Sequence, residues 1–186
     1  MSDPNGKLFL APHNDDETLF GFFTLLWHHP QVVIVLRGDV QGRRGHPVTH
    51  QERTAETSRA MSPLLADCPW EQWPVSDIEP DWKEVEQRLR KIAPRYHEIW
   101  APAIEEDGHE DHNMVGLIAD AVWPGKVTHY LTYRRGHGET RSAREVPFTA
   151  ELIRLKLKAL ALYVSQHDAP GCEYWFVDKT LREWYE

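Results

Sequence analysis

Cysteine is scarce in this sequence. Cys68 and Cys172 are the only two, and they form no CxxC pair. The expectation is reduced thiols in packing roles, with a disulfide between them left open. Long apolar runs are absent as well: no stretch approaches the ~18 residues that a bilayer-spanning helix needs, so no membrane span is expected. Cationic residues are outnumbered, 21 Lys and Arg against 29 Asp and Glu, for a formal net charge of -8. Such a chain repels phosphate backbones and anionic lipid surfaces, so neither nucleic acid nor a membrane surface is expected as a partner. The opening residues, Met-Ser-Asp-Pro-Asn-Gly-Lys, carry no positive region followed by an apolar core. No signal peptide is therefore expected, and the expected location is cytoplasmic. Internal repeats, low-complexity tracts and linkers are missing too, so residues 1–186 are expected to form a single domain around one core.

The segments that remain alternate regularly. Lys7 to Ala11 is a short apolar run stopped by Pro12, and Val32 to Leu36 is a second, β-branched one. Both read as buried strands of the parallel kind, covered on two faces. Between them, residues 16–28 read as one mostly apolar helix with Asp16 and Glu17 in its first turn, closed by Pro30. Thr49 with Glu52 forms a capping box, which predicts a helix from there to about residue 66. A short strand is expected at Trp73 to Val75, and Asp81 with Glu84 opens a helix that ends before Pro94. Glu98 to Ala101 reads as a strand, Met114 to Val122 as a helix and Val127 to Tyr133 as a strand. Residues 135–146 read as a loop, and Thr149 caps a long amphipathic helix to about Val164. The aromatic and charged tail from Tyr174 to Tyr185 receives no assignment. Strand and helix thus alternate throughout, which predicts an α/β fold: a mostly parallel sheet, right-handed crossovers and helices on both faces. Ligands of such sheets bind beyond the carboxyl ends of the strands.

Two polar clusters fall at those ends. Pro12-His13-Asn14-Asp15-Asp16-Glu17 follows the first strand, and Gly108-His109-Glu110-Asp111-His112-Asn113 follows the strand at Glu98. His13, Asp16 and His112 make a two-imidazole, one-carboxylate set of the kind that catalytic Zn²⁺ uses, with a coordination position left for water. His13 leaves the strand and Asp16 opens the helix, so a sharp turn points both at one ion. Asp15 lies between them and faces the water. His109 and His112 share one side of a helical turn, so one binds the ion while the other reaches over the open position. Asp15 and His109 then form the pair that amide hydrolysis requires, a base for the attacking water and an acid for the leaving nitrogen. Asp111 is a candidate to orient His109 or a metal-binding histidine. The same ligand set accommodates Fe²⁺. That keeps a non-haem iron enzyme in view, beside a non-catalytic binding protein that retains the pocket.

At these residues the chain resembles the LmbE-like, or PIG-L-like, de-N-acetylases. Their first motif is of PHPDDE type, here Pro12 to Glu17, and their second is HPDH-like, here His109 to His112. Further similarity lies in the Gly38-Asp39 to Gly42 loop, in Arg53 and Glu56, and in Lys156 to Ser165-Gln166. The resemblance implies a Rossmann-like fold and a zinc-dependent hydrolase. It implies His13, Asp16 and His112 as ligands, Asp15 as general base and His109 as acid or oxyanion stabiliser. It also implies sugar contacts from Asp39 and Arg53, a small N-acyl amino-sugar substrate and a homo-oligomer. Asn14 and Glu110 stand where the family usually has Pro. Asn14 is expected to loosen a turn that Pro would stiffen.

Overall fold

The computed structural model describes residues 6–38, 48–64, 67–106, 108–132, 143–167 and 181–186. Its elements, in chain order, are β1 (Lys7–Ala11), α1 (Asp16–Leu19), α2 (Phe22–His28), β2 (Gln31–Leu36), α3 (His50–Leu64) and β3 (Trp70–Val75). There follow α4 (Trp82–Ile92), β4 (Glu98–Pro102), α5 (Glu110–Val122) and β5 (Val127–Tyr130). The last are β6 (Arg144–Glu145), α6 (Ala150–Leu160), α7 (Val164–His167) and β7 (Trp184–Tyr185).

The sheet runs β3-β2-β1-β4-β5-β7-β6. The strands from β3 to β5 pair in parallel, as the apolar runs require. Strand order therefore reverses at β1, whose neighbours β2 and β4 lead away on opposite sides. In an open α/β sheet, that reversal opens a crevice at the carboxyl ends of the strands. Both polar clusters leave the sheet there, one after β1 and one after β4.

β1 shows why the fold needs two covered faces. Its residues Leu8 and Leu10 join one apolar cluster, with Val33, Val35, Ile99 and the α4 and α5 residues Val85, Leu89 and Val115. The alternate residues Phe9 and Ala11 join another, with Val32, Ile34, Phe23, Ala60 and Leu160. Leu8, Phe9 and Leu10 are all fully buried, and each such side chain contributes roughly 1.5–3 kcal/mol of transfer free energy. The Leu152, Leu155, Ala159 and Leu162 stripe packs on the second of these clusters, as its helical spacing predicts.

Local signals placed most helix starts correctly. Thr49 and Glu52 close their capping box, with the Glu52 carboxylate accepting the Thr49 N–H at 2.8 Å and the Thr49 hydroxyl accepting the Glu52 N–H at 3.2 Å. Asp81 accepts the Glu84 N–H at 3.0 Å, and Thr149 accepts that of Leu152 at 3.2 Å. Four expectations need correcting. The single helix expected over 16–28 is two, α1 and α2, broken at Phe20 and Gly21. A Cβ on Gly21 would lie 2.3 Å from Phe9 Cζ, so the chain presses there against the central strand. α5 starts at Glu110, a turn before the expected Met114, because His109 supplies its N-cap. The long helix expected to run to Val164 ends at Leu160, and α7 follows separately. Finally, the region expected as loop holds β6, and the unassigned tail holds β7, antiparallel to both β5 and β6.

The tail is anchored from inside. The Glu183 carboxylate accepts the Phe23 N–H at 2.9 Å and the Thr24 N–H at 3.2 Å, capping α2. Lys156, on α6, donates to that carboxylate and to the Leu19 carbonyl, both at 2.8 Å. Lys156 and Glu183 have no exposed surface, so each depends on the other for its charge. Cys68 is buried, and burial followed by the nearby Asp67 pushes its thiol up to about 12, a packing thiol as expected. Cys172 lies outside the described residues. Among the described residues, no helix is long and apolar enough to cross a membrane.

Replacing Lys156 by Met should destabilise the protein by ~3–5 kcal/mol, because it strands a buried carboxylate. Urea denaturation monitored by tryptophan fluorescence measures this, and a loss below about 1 kcal/mol would contradict the pairing.

Candidate metal centre and catalytic turn

The chain leaves β1 at Pro12, whose carbonyl accepts the Leu36 N–H at 3.0 Å, and turns sharply. Asp15 adopts φ 95° and ψ -32°, a backbone state that costs a non-glycine residue about 1–3 kcal/mol unless its surroundings impose it. The surroundings are specific. The Asp15 N–H donates to Glu17 Oε2 at 3.0 Å, and the Asp15 carbonyl accepts the N–H groups of Thr18 and Leu19 at 2.9 and 2.8 Å. Asn14 stiffens this turn rather than loosening it. Its Nδ2 donates to Thr57 Oγ1 at 2.8 Å, its Oδ1 accepts from Gln72 at 2.6 Å, and its carbonyl accepts from Arg53 at 2.5 Å. Side-chain hydrogen bonds to α3 and β3 thus do the work that a Pro ring would do by restricting φ.

The turn brings His13 and Asp16 together, and α5 brings His112 to meet them. Asp16 Oδ2 lies 3.2 Å from His13 Nδ1 and 3.2 Å from His112 Nε2. The His13 and His112 ring centroids are 5.4 Å apart. Three donor atoms, one from each residue, all lie within 4.8 Å of one another. Ligands at ~2.0–2.1 Å around a tetrahedral Zn²⁺ stand about 3.3 Å apart, so two edges of this set already match. His109 completes the cluster. Its ring lies 5.0 Å from that of His13 and 5.3 Å from that of His112. A second possible set, His13, His109 and Asp111, shares His13 with the first.

The electrostatics favour a cation at this point. Burial works against a charged His13, yet its hydrogen bonds to Asp111 and Asp16 prevail and raise the imidazole to about 10. Burial also works against an ionised Asp16, but His112 and His13 hold its carboxyl well below the usual range. The Asp16 and Asp111 carboxylates thus favour positive charge here, and the donor set, two imidazole nitrogens once free of a competing proton and a carboxylate oxygen, fits a divalent metal ion.

Asp15 is only 7% exposed, and burial pushes its carboxyl well above the ordinary range against the opposing pull of Arg53. Its Oδ2 accepts from Arg53 Nη2 at 3.1 Å. Arg53, expected at the sugar, is 3% exposed and commits this guanidinium nitrogen to Asn14 and Asp15. Asp111 pairs with His13 Nε2 at 2.9 Å and stands farther, 3.7 Å, from His109 Nδ1. That Nδ1 accepts the Asp111 N–H at 3.2 Å, which places the proton of a neutral His109 on Nε2. Burial and the neighbouring His13 and His112 lower the His109 imidazole. Asp39 lies outside the described residues.

Three site residues carried no role in the sequence reading. Glu17 was visible in the first motif but not as the acceptor for Asp15. Thr57 and Gln72 gave no local signal, because only the pairing of β2 with β3 and the packing of α3 bring them to Asn14.

A family model described as PIG-L, GlcNAc-PI de-N-acetylase, matches residues 8–123, well over half of the chain and both polar clusters. A search of curated proteins finds no match. Among solved structures, the chain is similar to an N,N'-diacetylchitobiose deacetylase from Pyrococcus horikoshii, with 19% identity over 94% of this chain and 76% of that one, and a TM-score of 0.70. It is similar to a triple mutant of the Orf2 deacetylase of teicoplanin biosynthesis, with 18% identity, coverage of 91% and 87%, and a TM-score of 0.72. It is also similar to GalB, a 4-carboxy-2-hydroxymuconate hydratase from Pseudomonas putida KT2440, with 14% identity, coverage of 91% and 80%, and a TM-score of 0.59. At these identities the likeness is one of fold.

The turn's tolerance can be probed beside it. Gly38 has φ +81°, and an added Cβ would sit 2.7 Å from Asn14 Oδ1. Gly38→Ala should therefore cost ~1–3 kcal/mol of stability from strain alone, read as a lower midpoint in thermal or urea unfolding. An unchanged midpoint would mean that Asn14 is not fixed as described.

Proposed function

The chain belongs to the PIG-L family of GlcNAc-PI de-N-acetylases, and on that premise we propose that it is a zinc-dependent N-deacetylase. Its proposed substrate is an amino-sugar conjugate or related small amide, from which it removes an acyl group, acetyl in the leading case. The observation that carries this reading is the convergence of His13, Asp16 and His112 donor atoms within 4.8 Å, with the Asp15 carboxyl in the adjoining turn. The family description, and the deacetylases of similar fold, support an N-acetylated sugar over other amides. Family membership also weighs against the iron oxygenase and binding-protein readings.

His13, Asp16 and His112 would hold the ion, with Asp111 fixing the His13 ring from behind. A bound divalent cation supplies Lewis acidity, polarising the amide carbonyl and lowering the pKa of a water from 15.7 towards ~7. Zn²⁺ suits these donors, and Fe²⁺ shares the set. Asp15, kept ionised against its burial by an adjacent bound cation and by Arg53, takes the proton of the attacking water. Arg53 grips Oδ2, so Oδ1 is the oxygen assigned to that proton. As the new C–O bond forms and the C–N bond breaks, the leaving nitrogen needs a proton. His109 as imidazolium would supply it from Nε2 and be left neutral, its Nδ1–H facing the Asp111 carboxylate. In the neutral tautomer protonated on Nε2, that N–H serves instead as a donor to the developing oxyanion. On this reading Arg53 also orients the base.

Amine release should be screened across N-acetylglucosamine conjugates, with Zn²⁺-loaded and chelator-treated protein side by side. Chelation should abolish release and Zn²⁺ should restore it. Failure of the loaded protein on every amide would overturn the proposal. Asp15→Ala should retain the metal, by elemental analysis, and lose ~10²–10⁴ in kcat. A variant that keeps full turnover would remove Asp15 from the role of base.

A further inference from the structure

Asp15 has an unusual backbone conformation and a base's task, so whatever holds that backbone governs where the carboxylate points. The holder is a buried relay that reaches the C-terminal third of the chain. The Asp15 N–H donates to Glu17 Oε2 at 3.0 Å. The other oxygen, Oε1, accepts the Tyr163 phenol and, at 3.3 Å, the Thr18 hydroxyl. The Thr18 and Tyr163 hydroxyls lie 3.1 Å from each other. Glu17, Thr18 and Tyr163 have no exposed surface, so no solvent replaces a lost partner.

Tyr163 lies outside the span that matches the family model, which ends at residue 123. It sits between α6 and α7. α7 is tied to α3 through Glu56, which accepts the Ser165 N–H at 2.7 Å and the Ser165 hydroxyl at 2.6 Å. The phenol is thus presented from a segment that is itself anchored. We infer that Glu17 and Tyr163 are positioning residues for Asp15: the phenol fixes the Glu17 carboxylate, and that carboxylate fixes the backbone that aims the Asp15 side chain. The inference rests on the reading of Asp15 as general base, but its structural half does not.

Tyr163→Phe deletes the hydroxyl and keeps the ring. It should lower kcat about 10–100-fold, the usual cost of losing an outer partner. KM and the Zn²⁺ dissociation constant should stay at wild-type values, and hydrogen exchange at the Asp15 amide, read by NMR, should accelerate. Tyr185→Phe is the control. It removes another largely buried phenol, bonded to Thr24, and should leave kcat and Asp15 exchange unchanged. Wild-type kcat with unchanged Asp15 exchange in Tyr163→Phe would overturn the inference. So would a loss of Zn²⁺ affinity in step with kcat, because the tyrosine would then be holding the ligands. If Tyr163→Phe fails to fold, Thr18→Val removes a neighbouring hydrogen bond from the same carboxylate. It should move kcat and exchange in the same direction by less, and no change in either would count against the relay. If wild-type protein were inert on every amide, the base reading would fall. The exchange comparison between Tyr163→Phe and Tyr185→Phe would still decide the positioning role.

Discussion

One carboxylate oxygen organises the site. Asp16 Oδ2 stands 3.2 Å from an imidazole delivered by the same turn and 3.2 Å from another delivered by α5. Those imidazoles come from the turn after β1 and from α5, the helix that follows β4, and the two strands pair in parallel from Lys7 with Glu98 to Phe9 with Trp100. The ion-binding geometry therefore depends on the register of that pairing. A one-residue slip would turn the alternate β1 residues to the wrong faces and would also separate His13 from His112.

Around this point the protein spends stability on chemistry. Asp15 is held in a left-handed conformation, buried and beside Arg53, while Glu17 is buried beneath it and raised by that burial to about 7. None of these features favours folding by itself. They are offset by the two-sided apolar core on β1 and by buried polar bonds. Asn14 is the clearest case, since its side chain and carbonyl bind partners on both α3 and β3.

The parallel sheet and the positions of both clusters were legible because their signals are local: continuous apolar runs, capping boxes, and histidines spaced along one short segment. The ends of elements were harder. Gly21 broke a helix because of contact with Phe9, and His109 extended another by capping it. β7 was illegible for a deeper reason. Its place depends on Glu183 meeting Lys156 and the start of α2, residues far apart in sequence whose pairing no periodicity announces. The same holds for Tyr163 and Glu17. Buried polar partners of high sequence separation are chosen by the finished fold, and the chain offers no neighbouring residue that encodes them.

The strand pairing that unites residues 13 and 112 has a thermodynamic corollary. In the unfolded chain those imidazoles are scattered, so an ion that occupies their site binds the native state alone. Binding and folding are then one linked equilibrium, in which each tenfold rise of free ion above its dissociation constant adds ~1.4 kcal/mol to native-state stability. For a chain of ordinary marginal stability, trace-metal supply in its surroundings would help set how long each molecule survives.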